Sequence, residues 1–516
     1  FGMSDGELIL AGGALLAAGL AASLFAARFR VPALVLVLLA GMAIGSDGTG
    51  WIEFADYEAA RRIGIVALAL ILFEGGLASG WREVRRVLRP AVSLALVGTI
   101  LTALSTGFVA AWLFDLTTLE GLLIGSIIAA TDAAAIFSVL RTSTLRRRLA
   151  QTLEGESGMN DPVAVLLVLG FIDWIQDPGY GAWNMVGLFA QQLSIGLAVG
   201  LGAGLLGVEL LKRARLASGG LYPVATLSIA AIAFGGADAL HGSGFLAVYL
   251  AGLVLGSREI PARRTIFAFH EGLAWVAQVA MFFTLGLLVF PGQLDEVALE
   301  ATILAFVSVA LARPLATFVA TAFDRYSARE RIVLGWAGLR GAVPVVLATF
   351  PVIEGVPNST EFFNIAFFAV LLSTILQGAS LESLARRLSL TTSDPALPRP
   401  LADSAAAQGL GAEVVEFPIV SGDAIVGFAV RDLGLPREAL VNVIVRGGRA
   451  IPPRGSTKLA SGDVLHILVR QEAMPKIYPL LERWRQGPIR PEIARDEEVW
   501  MTMPVYRASK RDPGDV

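Results

Sequence analysis

The sequence predicts an all-α polytopic membrane protein of about thirteen transmembrane helices, followed by a small cytoplasmic α+β domain. Of its 516 residues, 55% are hydrophobic and 16% charged, and the charge gathers in short clusters. Between the clusters lie apolar runs of about 20 residues, the length that crosses a hydrocarbon core. The basic clusters fall on alternate loops, as expected when one side of the membrane retains positive charge. After Leu390 the apolar runs stop and the composition becomes that of a linker and a soluble module.

The first apolar run, Leu8 to Ala27, is acidic ahead (Asp5, Glu7) and basic behind (Arg28, Arg30). That is the reverse of a signal peptide, so the run reads as the first span, and Phe1-Gly2 before Met3 reads as a cloning remnant. Twelve further spans centre near Leu38, Leu70, Thr102, Ala130, Leu166, Val199, Ala230, Tyr249, Ala280, Ala310, Ala342 and Val370. Arg82 to Arg89 follow span three, Arg141 and Arg146 to Arg148 span five, and Lys212 to Arg215 span seven. Arg258 to Arg264 follow span nine, Arg325 to Arg331 span eleven, and Arg386-Arg387 span thirteen. Arg61-Arg62 are the basic exception on the other side. This alternation places the N-terminus outside and the C-terminal tail in the cytoplasm. Cysteine is absent, which excludes disulfides, thiolate metal sites and cysteine nucleophiles. The net charge of -3 points to no particular partner; lipid is the expected surrounding, and no nucleic-acid partner is expected.

The domain boundaries follow from composition: a transmembrane domain over 1–390, a linker over 391–411, a cytoplasmic module over 412–486 and a polar tail over 487–516. Glu413 to Val420, Ala439 to Arg446 and Asp463 to Val469 are strand-like, and Gly447-Gly448 is a hairpin signal. Ile425 to Leu433 has helical spacing, and Ala473 to Trp484 reads as a closing helix. Arg490 to Val516 has the composition of a disordered segment.

Function is to be sought where lipid should forbid charge. An aspartate at a bilayer centre costs about 2.5 to 3.5 kcal/mol on insertion scales, and the sequence places Asp132 in span five and Asp161 in span six. Span three adds Glu74; span five Thr131; span six Glu156, Ser157 and Asn160; span eleven Arg313; and span twelve Arg340. Ser157 and Asp161 lie four apart, as do Glu156 and Asn160, so they occupy adjacent stripes of one helix face. Span twelve is interrupted by Gly335, Gly338, Gly341 and Pro344, and span five by its Thr-Asp step. The two are seven spans apart and so cross in opposite directions, the spacing of two inverted six-helix halves with a linking helix; such interrupted helices mark a transporter's midplane site.

A dehydrated monovalent cation needs several oxygen ligands, and Glu74, Ser157, Asp161, Asp132 and carbonyls freed in span five can supply them. A desolvated carboxylate holds its proton more tightly than one in water, so one group can take either a proton or a cation. Competition for one site gives exchange. Asn160 is neutral beside Asp161, so one exchangeable charge is offered, which favours one proton per cation and no net charge movement. Arg340 requires a counter-charge, for which Glu156 is the preferred candidate; Arg313, followed by Pro314, reads as a further internal charge partner. His241 and His270 read as loop or helix-end residues.

At LFEGGL (72–77), AATDAA (129–134), GESGMNDP (155–162) and GLRGAVP (338–344) the sequence resembles the monovalent cation/proton antiporters. It is most similar to the electroneutral sodium/proton and potassium/proton exchangers with an NhaA-like fold. The resemblance covers roughly residues 8 to 390 and implies that Asp161 is the shared carrier of cation and proton. It also implies that Glu74, Thr131, Asp132 and Ser157 lie in or beside the ion site, and that Arg340 pairs with Glu156 and Asn160. Crossed interrupted helices, a homodimer, a core domain moving against a dimerisation domain, and a bacterial-type inner membrane follow from the same resemblance.

Residues 427 to 469 resemble the C-terminal subdomain of potassium-conductance regulators, the TrkA-C or RCK-C type. Such domains bind a nucleotide or an ion, although no GxGxxG fingerprint is present here. The association favours potassium over sodium as the exchanged cation, with a role in pH homeostasis and regulation by the tail. No cofactor is expected beyond transported K+ or Na+ and H+ and a candidate nucleotide effector. A ligand-gated cation channel would need a filter motif such as TVGYG, which is absent. An intramembrane aspartyl protease could use two aspartates sharing a proton, but it has no use for Glu74, Ser157 and Arg340. No P-loop occurs to drive a nucleotide-powered pump.

Overall fold

The computed structural model describes residues 5–29, 33–132, 136, 145–214, 216–293, 297–391, 412–447 and 449–488. The chain divides into two units, 1–397 and 398–516. The boundary falls inside the stretch read as a linker, whose residues 392–411 lie outside the described set, as does the tail from 489.

Among the described residues the first unit is built of helices, with one isolated β-bridge between Leu145 and Thr391. Among the described residues, 7 helices are long and apolar enough to cross a membrane, and shorter apolar helices, among them Ala33–Ile44, Thr118–Ala129, Gly244–Gly256 and Ala342–Ile353, fill in between them. Every predicted span centre falls on a described helix or at the break between two. In lipid, helices gain little from burying apolar surface against one another, so close contact and small residues must hold them. The Tyr57–Ala78 and Gly244–Gly256 helices show how: a side chain on Gly76 would strike the backbone of Tyr249, and one on Gly252 the backbone of Phe73. Trp112, Trp183 and Phe323 stand exposed on the outer surface, where aromatic side chains meet lipid and interface without cost.

Two spans depart from α geometry at mid-length. Leu94–Gly98 and Ser308–Ala312 are π-helical turns, inserted between the Trp81–Ser93 and Thr99–Leu113 helices and between the Ala298–Val307 and Arg313–Ala320 helices. Each lies within a few residues of a proline, Pro90 and Pro314, whose missing N–H already weakens the local ladder. Two other spans break outright. The Thr118–Ala129 helix ends at Ala130, in extended geometry, and the Ala328–Trp336 helix stops before Ala342–Ile353 begins. The second half of span five lies almost wholly outside the described residues.

The second unit is a four-stranded sheet with one closing helix. Strands β1 (Ala412–Pro418), β2 (Ala439–Arg446), β3 (Arg449–Ile451) and β4 (Val464–Arg470) run antiparallel in the order β1-β4-β2-β3. The Met474–Gln486 helix lays Ile477, Leu480 and Trp484 on Phe417, Leu465 and Ile467, and the Trp484 indole donates to the Leu433 carbonyl at 2.9 Å. Helical spacing at Ile425 to Leu433 does not produce an α-helix. The segment is turns and a short 3-10 helix, Val430–Asp432, because Gly427 takes a positive φ of 87°. In addition, the backbone N–H groups of Ile425 and Gly427 are committed to Trp484 and Leu459.

Candidate ion-exchange site

The site is built where the two broken spans meet. Beyond Ala130 the chain leaves the helix, and the Asp132 N–H donates to the Leu339 carbonyl at 2.9 Å. The Asp132 carboxylate then accepts from the Ala342 N–H at 3.0 Å. Ala342 opens a helix whose own N-cap position, Gly341, offers no side chain. Asp132 thus caps that helix from another span, placing an anion at the positive end of the helix dipole. Gly341 makes the approach possible, since a methyl group there would collide with the Asp132 carboxylate.

The Ser359–Arg387 helix seals the other side of the break. The Thr374 hydroxyl donates to the Arg340 carbonyl, and the Gln377 amide donates to the Trp336 carbonyl at 2.7 Å. Carbonyls that the interruption deprives of helical partners are satisfied this way, as membrane burial demands.

The Arg147–Gln176 helix runs unbroken past the crossing and presents span six's polar residues. Asn160 donates through its amide to the Thr131 hydroxyl. Asp161, 2% exposed, has neither carboxylate oxygen hydrogen-bonded among the described residues, and Asp132 lies within electrostatic reach of it. Ser157 is buried one turn away. Pro162 follows, and having no N–H it deprives the Gly158 carbonyl of its usual partner four residues on. Glu74 sits on the Tyr57–Ala78 helix and is half-buried, less enclosed than Thr131, Asp132, Ser157, Asn160 and Asp161.

The arginine pairing differs from expectation. Glu156 pairs with Arg313, whereas Arg340 donates to the Ser308 hydroxyl at 2.5 Å, which in turn is hydrogen-bonded to the Thr106 hydroxyl at 3.0 Å. Asn160 likewise goes to Thr131 and not to Arg340. The cause lies in span eleven. Its π turn, ending at Ala312, turns Arg313 toward the crossing, and Gly338 lets the guanidinium pass, since a side chain on Gly338 would meet its Nε. His270 also departs from expectation: it is buried within the Arg263–Leu287 helix and shares a 2.8 Å hydrogen bond with Thr226, whereas His241 does occupy a turn. Ser308, Thr374 and Gln377 gave no sequence signal, because hydroxyls in membrane helices commonly bond their own preceding turn, as Ser126 and Thr317 do here.

A buried carboxylate with no hydrogen-bond donor on either oxygen among the described residues, beside the break in two helices, is suited to reversible binding of a small cation. Residues 14–387 match the family model of the sodium/hydrogen exchanger, transmembrane, and residues 414–482 match the TrkA-C domain. The K(+)/H(+) antiporter NhaP2 of Shewanella baltica is 36% identical over 95% of this chain and 85% of its own length. The K(+)/H(+) antiporter NhaP of Alkalimonas amylolytica is 36% identical over 92% and 83%. The structure of the sodium proton antiporter MjNhaP1 from Methanocaldococcus jannaschii at pH 8 aligns with a TM-score of 0.63 at 25% identity, covering 74% of this chain and 99% of that one. The chain is therefore a multi-pass membrane transporter and not an enzyme, and it belongs to the sodium/hydrogen exchanger family with a TrkA-C domain appended.

Proposed function

We propose that this protein exchanges one monovalent cation for one proton, with both competing for Asp161 and potassium as the physiological cation. The observation that carries this reading is that both Asp161 oxygens are buried without a hydrogen-bond partner among the described residues, while Asp132 and Glu156 are each held by a donor. A buried ionised carboxylate without donors is costly, so Asp161 requires a positive load. Thr131, Ser157 and Glu74 are the nearby candidates for completing an oxygen shell, and Asn160 holds Thr131 in place.

Charge supports the one-for-one stoichiometry. Arg313 is balanced by Glu156, and Asp161 takes either one proton or one monovalent cation, so the two loaded states carry the same charge. The inverted arrangement of two six-helix halves gains support from the π turns. Leu94–Gly98 in span four and Ser308–Ala312 in span eleven are seven spans apart, as are the breaks in spans five and twelve.

Potassium is favoured by the names of the relatives at 36% identity and by the TrkA-C domain; sodium is the alternative favoured by the MjNhaP1 likeness. The alternation of basic loops supports an external N-terminus and a cytoplasmic tail. A homodimer and a nucleotide or ion effector at the TrkA-C domain complete the reading. In proteoliposomes, an imposed potassium gradient is expected to drive opposite proton movement, and Asp161→Asn to abolish it. Persistent exchange in that variant would remove the carrier assignment, and exchange with sodium but not potassium would decide for the alternative.

A further inference from the structure

A second buried carboxylate shares the helix face of Asp161. Glu154 is 6% exposed and precedes Asp161 by seven residues, two helical turns or about 10 Å along the axis. Its Oε1 accepts from the Ser79 hydroxyl at 2.8 Å, and Ser79 ends the Tyr57–Ala78 helix. Ser79 is followed by the arginines of 82–89 at the start of the Trp81–Ser93 helix, and the Arg147–Gln176 helix opens on Arg146 to Arg148, so by the positive-inside alternation Glu154 lies between Asp161 and the cytoplasm.

Between the two carboxylates stands Tyr249. A side chain on Gly158 would strike the Tyr249 ring, and Gly158 lies four residues after Glu154 and three before Asp161 on the same face. The Tyr249 side chain is 1% exposed. Its hydroxyl lies beside the Ser79 hydroxyl and in the field of Glu154, so a carboxylate, a hydroxyl and a phenol converge at one buried point.

We propose that Glu154, Ser79 and Tyr249 form a second station for the transported monovalent cation, on the cytoplasmic side of Asp161, with the Tyr249 ring as the partition between them. The inference rests on the exchange reading for Asp161. A carboxylate, a hydroxyl and a phenol supply three oxygens of the kind a partly dehydrated cation takes. The ion halts at Glu154, and displacement of the ring from Gly158 admits it to Asp161. Because the helix at residue 158 carries no side chain, the ring can move without colliding with its own support.

The test measures potassium-driven exchange in vesicles of both orientations, so that the KM for potassium is read separately at each face. Loss of a charged partner costs on the order of tenfold or more in affinity. Glu154→Gln is therefore expected to raise the cytoplasmic-face KM about tenfold, with the outer-face KM within about twofold of wild type and a lower maximal rate. Glu154→Asp should recover part of the cytoplasmic-face affinity, and Tyr249→Phe should raise the same KM by a smaller factor. An unchanged cytoplasmic-face KM in Glu154→Gln overturns the proposal. So does a shift in the pH profile without a shift in KM, which would assign Glu154 to protons. If Glu154→Gln fails to fold, Glu154→Asp and Tyr249→Phe decide by the same one-sided criterion. Exchange that persists in Asp161→Asn overturns the underlying reading instead, and so separates the two failures.

Discussion

A carboxylate that binds and releases an ion in every cycle cannot be tied to permanent donors, because each such bond would favour the empty charged state. Asp161 and Asp132 differ in this respect: among the described residues one has no hydrogen bond to its carboxylate, and the other holds the start of a helix. The arginines divide similarly. Glu156 neutralises Arg313, while Arg340 is anchored by Ser308, Thr106 and its carbonyl's bond from Thr374. Removing one member of a buried ion pair costs about 3 to 5 kcal/mol, since the other is left charged and uncompensated. A double-mutant cycle in thermal unfolding should therefore show strong coupling between Glu156→Gln and Arg313→Gln, and weak coupling between Glu156→Gln and Arg340→Gln. Equal coupling in the two cycles would restore the pairing expected from family resemblance.

At the scale of elements, the crossing depends on a backbone that comes close enough to be capped from another span. Gly341→Ala puts a methyl group where the Asp132 carboxylate lies, so span five must withdraw from the helix it caps. Displacements of about 1 Å at a working site cost up to about 100-fold in rate, and exchange in this variant is expected to fall roughly 10- to 100-fold while expression persists. Wild-type rates would show that the close approach has no part in turnover. Much of this element was legible in the sequence. Charge inside an apolar run exposed Asp132, Asp161, Glu156, Arg313 and Arg340, and the glycines around Arg340 marked the break. The Glu156 partner was not legible, because it depends on the π turn at Ser308–Ala312, which shifts the periodicity from which facing residues are inferred. The Ile425 to Leu433 misreading has the same origin in reverse: its spacing was helical, but Gly427 and long-range backbone bonds took precedence.

At the scale of the whole molecule, the proposed one-for-one exchange, with equal charge in the two loaded states, would make transport insensitive to the membrane potential. Clamping vesicles at different potentials should leave the exchange rate nearly unchanged, and a steep dependence would require a stoichiometry other than one for one. The TrkA-C unit carries its own pH limit. Arg446 donates two hydrogen bonds, at 2.7 and 2.8 Å, to the fully enclosed Asp463 and holds its carboxyl below the usual carboxylate range. Stability from a carboxylate depressed in this way is full above its unfolded pKa, about 3.9, and is lost as pH falls through the lower folded value. Hydrogen exchange in the full chain should thus show residues 439–470 losing protection under acid, and Asp463→Asn should remove that acid step. The cap that Asp132 places on Ala342 has a further consequence, for biogenesis. The two residues are 210 positions apart, which at 5 to 20 residues per second is about 10 to 40 s of synthesis. For that interval the Ala342 N–H from which the Asp132 carboxylate accepts in the folded chain has not been made, so this cap forms only once the second half of the chain arrives.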